Sequence, residues 1–304
     1  MKYHYFVFDA TNLYHRVVYA SLKKMVSPNI IPHVVIMDFL ARIKNIVSLY
    51  SYNYSNSKIF LLFDNTDSKV RKRQEIDSTY KQSRENKPEI KGFAETLMIL
   101  QEIIKNYNNN YYFAQMEGFE ADDLVYLVKK QAIKLFENER ILLISADLDW
   151  ARGIDETTDW FNYHEFYDKN SFKNKHGFSP IGNSIKIFKA IHGDTSDDVK
   201  NVVPYLPREI LLNIVNNFAT LEDFFEKLDT LEIPEKWKEK IKEAKENIER
   251  NYKLVDFFEK ETPLQLIQCV VNMAALKFLF TKFKIPQEAR MNFLTPYPFF
   301  ERSM

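Results

Sequence analysis

The chain holds a single cysteine, Cys269, so neither a disulfide framework nor a thiolate metal site can be built from it. A reducing cytoplasm is the expected compartment. Glycine is scarce, six in 304 residues. Neither GxGxxG nor GxxxxGK[ST] occurs, which excludes a glycine-rich phosphate cradle. No apolar run approaches the ~20 residues of a membrane-spanning helix, and the opening "MKYHYFVFDA" is too short and too charged for a signal peptide. No membrane association is expected. Net charge is also missing: 42 basic and 42 acidic residues cancel. A polyanionic partner stays open, because the two signs can be segregated. What the chain does have is apolar and aromatic mass, 45% and 15%, ample for a large core.

That mass is patterned. "YHYFVFD" (3–9), "SKIFLLFD" (57–64), "YYFAQ" (111–115) and "RILLISAD" (140–147) are short apolar runs, three of them ending in Asp. Between them lie helix-patterned segments at 12–24, 34–50, 93–107 and 119–137. Alternation of this kind predicts an α/β fold with a mostly parallel sheet flanked by helices. Ligands in such sheets sit at the carboxyl ends of the strands. After about residue 185 the pattern is helical, at 207–217, 220–228, 235–250 and 251–260, followed by an apolar stretch near 266–283. Two regions are therefore expected: an α/β domain over 1–190 and a helical region over 191–304. Residues 66–92 are polar and too long for a simple turn, and long insertions of that kind are usually functional or disordered.

The acids gather where the strands end and the helices begin. Asp9, Asp64 and Asp147 close predicted strands. "FEADD" puts Glu120, Asp122 and Asp123 at a helix start. "SADLDW" adds Asp149, and "HGDTSDD" adds Asp194 and Asp197. Taken singly, an acid at a helix N-terminus serves the helix dipole. Taken together on one sheet edge, so many carboxylates would repel one another unless neutralised, and hard divalent cations with oxygen ligands are the usual solution. The basic counterpart is "KVRKRQEIDSTYKQSRENK" (69–87), which directly follows Asp64 and interleaves Tyr80 with Arg71, Arg73, Lys81 and Arg84. Bases hold a polyanion through its phosphates, and an aromatic can stack on an unpaired base.

The order "FDATN", "LLFDN", "YKQSR", "FEADD", "ISADLDW", "HGDTSDDVKNV" resembles the flap endonuclease / 5′-to-3′ exonuclease family, notably its bacteriophage members of the T-even RNase H type. The likeness runs over about residues 1–230. It implies a PIN-like 5′ nuclease core, a helical arch at about 66–92 and a DNA-binding region with a helix-turn-helix variant. It implies two Mg²⁺ ions, with Mn²⁺ able to substitute. Asp9, Asp64, Glu120, Asp122 and Asp123 would hold one ion, with Asp147, Asp149, Asp194 and Asp197 forming or bordering the second site. Lys81 and Arg84 match the catalytic basic pair of the arch, and Arg71, Arg73, Tyr80 and Arg208 would contact nucleic acid. The implied activity is 5′ nucleolysis of RNA primers or DNA flaps in replication and repair, by a monomer in the cytoplasm of a phage-infected bacterium. The sequence departs from the family after "HGDTSDD". "NVVPYLPREI" stands where a glycine-rich hairpin grips the duplex, often with potassium. Pro204 lacks an N–H, so Arg208 is expected to carry the local phosphate contact.

Two other readings use the same residues. "DLD" and "GDTSDD" mimic the motifs of a haloacid dehalogenase-type phosphatase, which needs a nucleophilic Asp and would leave Asp9, Asp64 and "FEADD" idle. An aspartyl-phosphate trapped by beryllium fluoride would mark it, whereas cleavage of a 5′-flapped duplex marks the nuclease. A non-catalytic junction-binding protein of the same fold would lack some of the carboxylates. Near the C-terminus, Phe299 and Phe300 could dock into a sliding clamp or a single-strand-binding protein, although a packed terminus is the plainer expectation.

Overall fold

The computed structural model describes residues 2–24, 29–65, 72–85, 90–133, 139–257 and 263–294. The chain divides into two units interleaved in sequence. The first comprises Met1–Phe63, Pro88–Ala114 and Leu266–Met304, and the second Asp64–Lys87 and Gln115–Gln265.

In the first unit, β1 (Tyr5–Asp9), β2 (Lys58–Leu62) and β3 (Tyr111–Ala114) run parallel, with Asp9 opposite Leu62 and Leu62 opposite Ala114. All five residues of β1 are buried. That explains why the run is apolar without alternation: a parallel strand is covered on both faces. The helices α1 (Ala10–Lys24) and α2 (Pro32–Tyr50) supply cover. α2 opens on Pro32, whose fixed φ suits a first helical turn, and buries Val35, Ile36, Phe39, Leu40, Ile43 and Val47 along one stripe. The apolar stretch expected near 266–283 is not helix throughout. Leu266–Gln268 forms a strand, here β7, antiparallel to β3, and a helix follows only at Met273–Lys282. Three residues carry no periodicity. The strand exists because β3 offers an unpaired edge, and the Cys269 N–H continues the pairing onto the Tyr111 carbonyl at 2.8 Å.

In the second unit, β4 (Ile141–Ile144) pairs in parallel with β5 (Thr158–Phe161), and β6 (Phe166–Tyr167) adds antiparallel to β5. The β5–β6 hairpin escapes a pattern reading because Asp159 interrupts the apolar run. Asp159 is nonetheless buried and ion-paired with Arg140. Two short helices, α3 (Lys72–Ile76) and α4 (Gln82–Glu85), lie in the segment expected to form an arch. Residues 66–71 and 86–89 of that segment, Arg71 among them, lie outside the described residues. After α5 (Phe93–Lys105) of the first unit come α6 (Ala121–Leu127), α7 (Lys169–His176), α8 (Ser184–His192), α9 (Arg208–Asn217), α10 (Leu221–Lys227), α11 (Glu235–Glu243) and α12 (Lys245–Leu254). The helix expected over 235–250 is broken at Ala244, where ψ opens to 0°. α8 packs against both α9 and α12. Among the described residues the seven strands are mixed and mostly parallel, flanked by helices, as the alternating pattern predicts. No helix among them is long and apolar enough to cross a membrane.

α8 ends at Gly193, with φ 80° and ψ 177°, a conformation open essentially to glycine alone. A Cβ there would lie 2.5 Å from the backbone nitrogen of Asn201. Gly193→Ala is therefore expected to destabilise the fold by about 3 kcal/mol, since strain and backbone overlap add. Urea unfolding checks this, and a loss below about 0.5 kcal/mol would show that the turn relaxes freely.

Candidate metal centre

The second unit brings eight of the nine carboxylates singled out by sequence into two neighbouring groups. The first surrounds the N-terminus of α6. Asp64 Oδ1 accepts the Ala121 N–H at 2.7 Å, and Asp123 Oδ2 accepts the Glu120 N–H at 3.1 Å. Both bonds satisfy amides that a helix start leaves without intrahelical partners. The capping role of these acids is thus real, but it does not exhaust them. Glu120 Oε2 also accepts from Arg73, Tyr80 and Lys81, and Asp122 stands beside it with its carboxyl pKa raised well above the usual range. Burial is the main cause, opposed by Arg73 and reinforced by Asp123 and Glu120.

Arg73 is the central cation of this group and is 4% exposed. Its five N–H donors meet five acceptors. Nη1 reaches Glu120 Oε2 at 2.9 Å and Asp123 Oδ2 at 3.1 Å. Nη2 reaches Asp123 Oδ1 and the Asp256 carbonyl, both at 2.8 Å. Nε reaches the Leu254 carbonyl at 3.0 Å. Burial disfavours the guanidinium charge, yet Asp122 and Asp123 outweigh it and keep Arg73 protonated. The structure places Arg73 inside the acidic group, not on a surface.

The second group is Asp147, Asp149, Asp194 and Asp197. Asp147 follows β4 and accepts the Asp149 N–H at 2.9 Å, opening a 3₁₀ turn over Leu148–Gly153. Asp194 Oδ1 accepts the Ser196 N–H and hydroxyl at 2.9 and 2.6 Å. Carboxylate oxygens of Asp149, Asp194 and Asp197 lie within 4.8 Å of one another. Burial pushes the Asp147 carboxyl up to about 6; Asp149 adds to the shift and Lys189 opposes it. Asp194 is held down at about 2, its burial outweighed by Lys189 and its bonds to Ser196.

Lys189 is the residue that pattern reading missed. It is 4% exposed, with Nζ 2.8 Å from Asp149 Oδ1, 2.6 Å from Asp194 Oδ2 and 3.9 Å from Asp147 Oδ1. The available signal was its place on α8 among the buried Ile185, Ile187, Ala190 and Ile191. A lysine on an apolar face needs a buried acid.

Residues 80 and 81 join the two groups. The Tyr80 hydroxyl lies 3.1 Å from both Glu120 Oε2 and Asp197 Oδ2, one hydrogen facing two acceptors. Lys81 Nζ is 2.7 Å from Glu120 Oε2 and 3.5 Å from Asp197 Oδ1. Lys81 takes a left-handed φ of 56°, fixed by its N–H on the Asp197 carbonyl at 3.0 Å. A non-glycine residue so held is a strained position that the surroundings over-determine.

The remaining expected residues lie elsewhere. Asp9 belongs to the first unit. It is buried at the end of β1 and accepts the Asn12 N–H at 2.9 Å. Arg84 stands in α4. Arg208 opens α9, exposed, and donates to the His176 carbonyl at 2.8 Å. Before it, Tyr205 adopts φ 63° and is 92% exposed, so the turn contains a left-handed residue without a glycine to supply it.

The donor set consists of carboxylate oxygens, with no thiolate, and clustered carboxylates of this kind suit a hard divalent cation. Comparison with known proteins agrees with the motif reading. Residues 4–177 match the family model described as 5′-3′ exonuclease, N-terminal resolvase-like domain. A 5′-3′ exonuclease of Mycoplasmopsis pulmonis (strain UAB CTIP) is 28% identical over 264 residues, covering 86% of this chain and 82% of that protein. DNA polymerase I of Lactococcus lactis subsp. cremoris is 25% identical over 165 residues. That is 52% of this chain but only 18% of the polymerase. Among solved structures, bacteriophage T5 5′-exonuclease with bound zinc ions aligns at a TM-score of 0.65 and 23% identity over 95% of this chain and 98% of that one. A bacteriophage T5 flap endonuclease in a pseudo-enzyme-product complex with DNA and metal ions aligns at 0.63 and 22% over 96% and 99%. The structural likeness establishes a shared fold, and the family model covers more than half of the chain, spanning both "FEADD" and "ISADLDW". On that match the chain belongs to the flap endonuclease / 5′-3′ exonuclease family.

Proposed function

We propose that the two carboxylate groups of the second unit hold two divalent cations, Mg²⁺ by preference with Mn²⁺ able to substitute, and that the protein hydrolyses phosphodiesters at the 5′ ends of RNA primers and DNA flaps. The observation that carries this reading is the convergence of Asp64, Glu120 and Asp122 with Asp147, Asp149, Asp194 and Asp197, joined by Tyr80 and Lys81. Zinc is bound in the T5 5′-exonuclease, and DNA and metal ions in the T5 flap endonuclease, both of which share this fold. Paired cations held there would supply an activated water and charge stabilisation for the leaving 3′ oxygen.

The chain's own residues do the rest. Arg73 and the α6 amides fix the directions of Glu120 and Asp123. Lys189 does the same for Asp149 and Asp194. Lys81, already between the groups, is the cation placed to meet a scissile phosphate, with Arg84 in the next helix as its partner. The segment around 72–85 acts as the arch, and the helical region from 191 onward, with Arg208, holds duplex backbone. The protein acts as a monomer on substrates at replication and repair junctions. A sliding clamp or a single-strand-binding protein is the proposed partner of Phe299 and Phe300, which lie outside the described residues.

A 5′-labelled flapped duplex tests the reading. Cleavage is expected with Mg²⁺ or Mn²⁺ and is expected to stop with EDTA. No cleavage with either ion, or cleavage that survives EDTA, overturns it.

A further inference from the structure

We infer that Lys186, Arg152 and Asp256 form a positioning clasp that sets the orientation of Arg73, and through it of Glu120 and Asp123; the inference rests on the reading of these carboxylates as the active site. The clasp grips the end of α12. The Asp256 carboxylate is ion-paired with Lys186 Nζ and with Arg152 Nη2, the latter at 3.1 Å. Arg152 Nη1 donates to the Val255 carbonyl at 2.9 Å, and its guanidinium lies 3.7 Å from the centre of the Phe257 ring. Lys186 also lies 3.6 Å from the centre of the Tyr252 ring. The two cations come from different places, Lys186 from α8 and Arg152 from the 3₁₀ turn that begins at Asp147.

What they hold is the far half of the Arg73 site. Two of the five Arg73 donors end on the Leu254 and Asp256 carbonyls. The Leu254 carbonyl closes α12 and the Asp256 carbonyl lies just beyond its C-cap, so neither has an intrahelical partner. They are free to accept from Arg73 only if 254–257 keeps its course. The side chains of Leu254 and Val255 pack with Tyr80 and Val199, and Ile76 packs against that cluster, so the same segment also supports the tyrosine facing Glu120 and Asp197. A shift of 254–257 would leave buried Arg73 donors without acceptors. The guanidinium would then turn, taking the bidentate contact to Asp123 with it. The partners of Lys186 and Arg152 named here are Asp256, Val255, Tyr252 and Phe257. Their effect on the carboxylates of the two acidic groups is indirect, as for groups that orient the ligands of a metal.

The test compares wild type with Asp256→Asn, Asp256→Glu and Lys186→Met. Single-turnover cleavage of the flapped duplex with Mg²⁺ is measured beside duplex binding. Asp256→Asn and Lys186→Met are expected to slow cleavage roughly tenfold with binding within about twofold, and Asp256→Glu is expected to restore most of the rate. A second measurement, urea unfolding in EDTA, closes a double-mutant cycle between Asp256→Asn and Arg73→Lys. Non-additive losses are expected, because both changes break one network. Unchanged cleavage rates, losses confined to binding, or additive losses in the cycle overturn the clasp. Should wild type itself fail to cleave, the site reading falls, and the unfolding cycle alone decides whether Asp256 acts through Arg73.

Discussion

Asp147→Asn and Asp122→Asn are each expected to abolish cleavage while leaving binding of a flapped duplex within about tenfold. Asparagine keeps the shape of the side chain and removes its charge, so the loss falls on the groups proposed to hold cations and not on packing. The chemistry those cations would supply is worth several kcal/mol in the transition state, and removing it is expected to cost more than a thousandfold in rate. Duplex affinity comes mainly from many phosphate contacts elsewhere and changes little. The stability readout has the opposite sign. Burial pushes the Asp147 carboxyl up to about 6, so in EDTA the folded state holds its proton more tightly than the unfolded chain does. That favourable contribution is present below about pH 4 and is lost as pH rises through about 6. In EDTA, the wild-type thermal midpoint should therefore gain from acidification across that window through this group, and Asp147→Asn should lack that part of the slope. Single-turnover cleavage, a binding isotherm and a pH series of melts in EDTA check the three statements. Near-wild-type turnover by both variants would show that the carboxylates are not the active site.

Lys81→Ala is expected to lower the single-turnover rate by about 10²- to 10³-fold and to weaken duplex binding by no more than about threefold. Lys81 is buried, and its ammonium already sits between Glu120 and Asp197. A cation in that place acts on charge that develops at the reacting phosphate, whereas a single phosphate contact among many adds little to total affinity. Truncation also removes a positive charge from the carboxylates, so the affinity for a divalent cation should rise, not fall. The rate defect should consequently persist at saturating Mg²⁺. Equal losses in rate and binding would instead assign Lys81 to a general binding surface.

Much of this was legible in the chain itself. The apolar runs over 3–9, 57–64, 111–115 and 140–147 contain β1 to β4, because a strand covered on both faces has to be apolar throughout. "FEADD" begins α6 as its acids require, with Glu120 as the N-cap residue. The family assignment rested on resemblance, and the family match supports it over the phosphatase reading. Other features were hidden for specific reasons. β7 has only three residues and exists through its partner. β5 carries a buried Asp159, whose cost is met by Arg140. Lys189 reads as one lysine on an apolar helix face until Asp149 and Asp194 are seen against it.

Composition and periodicity by themselves determined the class of the fold, the hard-oxygen character of the candidate site and the chain segments proposed to carry it, because each of these depends on residue type and on spacing within a single element. Tertiary structure alone decided which charges meet. Arg73 reaches the Leu254 and Asp256 carbonyls across some 180 residues of chain, Lys81 faces Glu120 and Asp197, and Lys186 with Arg152 closes on Asp256. Local sequence cannot encode such pairs: a buried ion pair persists only where packing from distant elements removes water from both partners and leaves each the other as its compensation.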